Sequence, residues 1–168
     1  MKWQNLILCI VFFSLIFVSC NTNDKSKQKY LADIGDTIFN PSLDDAKFKF
    51  CDSSNVLHKR AYVKYTGGTK ILENDIISQY KIKPEYRTFN GYFIVRFAVN
   101  CNDETGRFRW EVVNADFEET TPPKGLEKHI IDILKGLNKW NHPFYNKKDY
   151  DGYTYIIVKI ENGNIVRS

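Results

Sequence analysis

The chain has 168 residues, 43% of them hydrophobic and 15% aromatic, with 24 basic and 20 acidic side chains and a formal net charge of +4. That is enough for one domain with a proper core. The mild basic excess is spread along the sequence, without a Lys/Arg block or a basic helix, and this argues against a nucleic-acid partner.

The chain opens MKWQNLILCIVFFSLIFVSC. One cation, Lys2, precedes an apolar run from Leu6 to Val18, which stops at Cys20; the following NTNDKSKQK is polar and aperiodic. A run of about 13 apolar residues is short for a bilayer span and suits a signal-peptide core. The segment resembles a bacterial lipoprotein signal, in which cleavage before the cysteine leaves it as the lipidated first residue. The resemblance implies a signal over 1–19, a lipid on Cys20, and export to the bacterial cell envelope, on the periplasmic side of the outer membrane. Several acyl chains together anchor far more durably than one. An uncleaved anchor helix and a secretory signal cut elsewhere are the competing readings. Residues 21–43 are polar and end in the Asn40-Pro41-Ser42 punctuation, so 20–43 reads as a lipidated cysteine with a flexible tether and 44–168 as a single domain.

Four cysteines are present. Cys9 falls within the signal and Cys20 takes the lipid, which leaves Cys51 and Cys101 as an even pair in an oxidising compartment. A bridge between them would close a loop of about 50 residues and contribute about 4 kcal/mol on chain-entropy grounds. Two buried free thiols are the alternative.

From Asp44 to Tyr65, short apolar clusters (Phe48, Phe50; Val56, Leu57; Tyr62, Val63, Tyr65) suggest one or two short strands, and Gly67-Gly68 then breaks the chain. Thr69 can cap a helix that places Leu72, Ile76 and Tyr80 on one face, ended near Lys83-Pro84. The strongest pattern follows in GYFIVRFAVNCNDETGRFRWEVV. Phe93, Val95, Phe97 and Val99 alternate with their neighbours, a turn runs to Gly106, and Phe108, Trp110 and Val112 alternate again, as in a half-buried hairpin. Thr121-Pro122-Pro123 offers a threonine cap and first-turn proline for a second helix. Its stripe is Leu126, Ile130, Ile133, Leu134, Leu137 and Trp140, and Asn141-His142-Pro143 ends it. Thr154, Ile156, Val158 and Ile160 mark a last strand, closed by a turn at Glu161-Asn162-Gly163-Asn164.

The order helix, strand, strand, helix, strand predicts an α+β domain: a three-stranded antiparallel sheet with two helices packed on one face, plus short N-terminal strands. A helical crossover sets the last strand beside the first and leaves it at an edge. No motif demands catalysis. His58, His129 and His142 share no metal-ligand spacing, and no serine elbow, phosphate loop or HExxH pair is present. Gly67-Gly68 could hold an anion at the helix N-terminus, but a simple turn is the plainer reading. Cofactors and metals are not expected.

The segments YTGGTKILENDI, GYFIVRFAVNCNDETGRFRWEVV, GLEKHIIDILKGLNKWNHP and YTYIIVKIENGNI together resemble the C-terminal domain of TonB-type proteins. The matching residues are Gly67, Gly68, Gly91, Gly106, Trp140 and Pro143, over roughly residues 65–160. The resemblance implies a periplasmic domain that binds an envelope protein, such as an outer-membrane receptor, by adding an extended segment to an edge strand. Here that strand carries Tyr153, Tyr155, Ile157 and Lys159. TonB-type transducers also have a transmembrane helix and a long Pro-rich spacer, neither of which this chain shows. The about 38 residues from Cys20 to His58 reach about 130 Å at most and about 34 Å as a coil. A binding module close to its own membrane therefore fits better than energy transduction. A structural or assembly lipoprotein without peptide binding remains an alternative, as does a small hydrolase on a similar fold. Residues around Phe48–Cys51 or Tyr62–Tyr65 could also fold back and occupy the edge.

Overall fold

Alternation in the hairpin becomes register in the computed structural model, which describes residues 39–58 and 62–167. The signal over 1–19, Cys20 and the tether up to residue 38 lie outside the described residues. In chain order the elements are β1 (Lys64–Tyr65), α1 (Gly68–Gln79), a 3-10 turn (Pro84–Tyr86), β2 (Gly91–Val99), β3 (Thr105–Asn114), α2 (Leu126–Gly136), β4 (Trp140–Asn141), β5 (Phe144–Tyr145), β6 (Lys148–Asp149), β7 (Gly152–Glu161) and β8 (Asn164–Val166). The domain is α+β. No helix among the described residues is long and apolar enough to cross a membrane.

The main sheet has the order β3-β2-β7-β8, and β1-β4 and β5-β6 form two small ribbons. Every registered pair of strands is antiparallel. The last long strand does lie beside the first of the hairpin, with Phe93 opposite Val158 and Val95 opposite Ile156. Phe93, Val95 and Phe97 of β2 are fully buried and share one hydrophobic cluster with Ile156 and Val158 of β7, Ile76 of α1 and Leu134 of α2. Trp110 packs against that cluster while remaining partly exposed.

The sheet has four strands where three were expected. Asn162 and Gly163 adopt left-handed φ of 48° and 74°, a two-residue turn that sends the chain back along β7, so Glu161 faces Asn164 and Lys159 faces Val166. The helix starts also differ from the sequence reading. Gly67, at φ 86°, precedes α1 and no side chain caps it, so Thr69 lies inside the helix. A Cβ on Gly67 would stand 2.7 Å from an Ile71 carbon, which is why glycine is needed there. The second helix begins at Leu126 behind Gly125, at φ 84°. Pro123 disfavours helical backbone at Pro122, so Thr121 cannot cap. That helix ends at Gly136, and Trp140 belongs to β4, paired with Tyr65 and still only 5% exposed.

Residues 39–58 form a strap of turns with one parallel bridge from Leu57 to Gly152, and the described strand within the expected 44–65 segment is β1. Ahead of residue 44, the Phe39 ring already touches the domain, with the Arg107 guanidinium 4.9 Å from it. A bulge opposite Phe97 shifts the register, so that Arg96 faces Arg109 but Ala98 faces Gly106. One extra residue turns Gly106 to the far face of the sheet. There Phe48 joins Ala98 and Tyr153 in a second cluster.

Candidate functional site

Groups on β7 alternate between its two sides. Asp151 C=O accepts from Leu57 N–H (2.8 Å) and Tyr153 N–H donates to Leu57 C=O (2.8 Å), while Lys159 and Glu161 pair with β8. Odd-numbered residues therefore turn their backbone groups outward, and Ile157 lies on the outer side between the two engaged ends. Its side chain is 51% exposed.

Beside this stretch runs a groove of about 290 Å³. Tyr155 to Lys159 line one side, Leu72, Ile76 and Ile77 of α1 the other, and Ile165 to Arg167 one end. It continues at Thr69, Leu72 and Tyr155 into a wider recess lined also by Tyr65, Trp140 and Thr154. Two hydrogen bonds hold the walls together. Tyr80 Oη donates to the Gly163 carbonyl (2.7 Å), and Arg167 donates to Asn74 Oδ1 (2.9 Å). At the wider end, Asp75 accepts from Tyr65 Oη (2.7 Å) and Lys139 Nζ (2.8 Å). Those two donors hold the Asp75 carboxyl below its usual range, and burial with the Asp75 contact raises the Tyr65 phenol. Trp140 lines that part, and its buried indole N–H has no hydrogen-bond partner among the described residues.

The four residues assigned to the edge strand separate on inspection. Tyr155 and Ile157 are exposed on β7 at 39% and 51%. Lys159 is paired with Glu161, and this contact raises its pKa. Tyr153 is 1% exposed, stacked on His58 at 5.2 Å with the Arg96 guanidinium 5.1 Å above it. It packs in the second cluster with Phe48 and Ala98. Cys51 and Cys101 are joined, their sulfurs 2.06 Å apart, and Cys20 lies outside the described residues. Beside the bridge the buried Asp151 carboxylate accepts from Cys101 N–H (3.0 Å) and Asp52 N–H (2.8 Å), locking the strap to the start of β7.

The histidines have separate local partners. His129 stacks on Tyr80 at 5.1 Å, and burial lowers its pKa. His142 sits between two carboxylates, Asp103 at 2.7 Å from Nδ1 and Asp149 at 2.9 Å from Nε2. Sequence reading missed the end of the groove made by Ile165 and Val166. Its signal was the Asn162-Gly163 pair, a strong hairpin marker followed by two apolar residues.

No protein family matches this chain, and neither a curated protein nor a solved structure matches it.

Proposed function

We propose that this chain is an exported envelope lipoprotein, anchored through Cys20 to the periplasmic side of the outer membrane, whose TonB-like domain holds an extended apolar segment of another envelope protein in the groove beside β7. The observation that carries this reading is the groove itself, an apolar channel between a strand edge and the Leu72–Ile76–Ile77 face of α1. An extended segment laid there meets outward backbone groups at Ile157 and buries its own side chains against α1, as in strand addition. Leu57 and β8 already engage the two ends of β7. The added strand is therefore short, and apolar side chains supply most of the affinity. That same cover favours the second reading, an assembly lipoprotein whose sheet takes no peptide.

A photo-crosslinking residue at Ile157, compared in living cells with one at exposed Glu85, separates the two. The binding reading expects an adduct specific to position 157 that maps to an extended apolar segment and is lost in Ile77→Glu. Adducts no different from those at Glu85, or unaffected by Ile77→Glu in a chain that still folds, would leave the assembly role.

A further inference from the structure

We propose that the β5–β6 hairpin is a membrane-contact tip that seats in the headgroup layer of an anionic bilayer. Phe144 and Tyr145 are 66% and 47% exposed, and Phe144 is the most exposed large hydrophobic side chain among the described residues. The turn between the strands consists of Asn146 and Lys147, with φ of 49° and 61°, and Lys148 follows opposite Tyr145. Two rings and two ammonium groups thus share one narrow turn, and Lys64 lines the recess beside Phe144. An ordinary protein interface buries about 800 Å² on each partner, more than two side chains at a turn can offer. A bilayer interface suits them better: aromatic rings sit at headgroup level and lysines meet lipid phosphates.

Three contacts tie the tip to the domain. Tyr150 N–H donates to the Pro143 carbonyl (2.9 Å), Asp149 meets His142, and the Tyr62 ring stands 5.6 Å from that of Tyr145. Its direction is set as well. The other His142 nitrogen meets Asp103 in the β2–β3 turn, and Arg107, just past that turn, faces Phe39, where the described chain begins. Phe39 and the aromatic tip therefore lie at one end of the sheet. About 19 residues separate Cys20 from Phe39, a reach of at most roughly 65 Å. A lipid on Cys20, which belongs to the function proposed above and on which this orientation rests, would hold that end toward its membrane.

The test uses the full chain as the cell processes it, carrying Phe144→Trp, on vesicles containing a lipid quencher at headgroup depth. On phosphatidylglycerol vesicles the new tryptophan should be quenched several-fold more than the native tryptophans of the unsubstituted chain. The excess should fall to background when Lys147→Gln and Lys148→Gln are combined, with the melting temperature unchanged. Tyr145→Trp provides a second reporter on the same tip. No excess quenching at either position, or an equal excess on zwitterionic vesicles, overturns the proposal. Quenching in a chain that gives no groove adduct at Ile157, or that carries no lipid at its N-terminus, supports the membrane tip while removing the corresponding part of the function proposed above.

Discussion

The Asp44 side chain is fully buried and meets Arg109 through both oxygens (2.8 and 2.9 Å), Arg107 at 3.1 Å and the Asn40 N–H at 2.8 Å. The Arg109 hydrogen bonds, opposed by burial and helped by Asn40 and Arg107, hold its pKa down to about 2. A depressed carboxyl pKa stabilises the fold above the ordinary value of about 4, and that stability is lost as pH falls toward 2. Asp44→Asn leaves two guanidiniums without their counter-charge and should cost roughly 3 kcal/mol at neutral pH in urea unfolding, with the gap closing in acid. His142 has the opposite sign. Burial disfavours its cation, but the hydrogen bonds to Asp149 and Asp103 outweigh this and raise the pKa. Its contribution is complete below the ordinary histidine value of about 6.5 and disappears as pH rises through the raised value. His142→Gln should therefore destabilise the domain more at pH 5.5 than at pH 9; a pH-independent difference would show that the imidazolium is not held by these carboxylates.

Within elements, the side of a helix a residue occupies decides its weight. Leu134 is fully buried on α2, and Leu134→Ala should cost roughly 2–5 kcal/mol. Its neighbour Lys135 is exposed, and its ammonium lies 5.6 Å from the Phe108 ring and 5.7 Å from the Trp110 ring. Lys135→Ala should lose about 0.5–1 kcal/mol. Comparable losses for the two variants would mean that the helix face is assigned wrongly. On the other side of the sheet, a Cβ at Gly106 would stand 2.2 Å from the Phe48 ring. Gly106→Ala should push the strap off the hairpin at a cost of roughly 1–3 kcal/mol, read as a lower urea midpoint.

For the molecule as a whole, the Cys51–Cys101 bridge, 50 residues apart in sequence, ties the strap to the hairpin turn. Replacing both cysteines by alanine should lower unfolding stability by about 4 kcal/mol on chain-entropy grounds. A loss well under 1 kcal/mol would show that the Asp44 and Asp151 contacts fix the strap without it. Leu57, near the end of the strap, covers one end of the β7 edge.

Local periodicity settled much of this domain before any tertiary contact was considered. The alternation from Phe93 to Val112 and from Thr154 to Ile160 specified which side chains of β2, β3 and β7 enter the core, because a pleated strand alternates faces whatever it pairs with. The stripe from Leu126 to Leu134 did the same for α2. The short Asn164–Val166 strand is too brief to show a period, though Asn162-Gly163 announced its turn. The arginine partners of Asp44 and the backbone N–H partners of Asp151 lie 50 or more residues away in sequence, beyond any local pattern. Tyr153 and Ile157 share one parity on one strand, and sequence treats them alike. Only the folded strap, by burying the first and stopping short of the second, decides which of them is exposed.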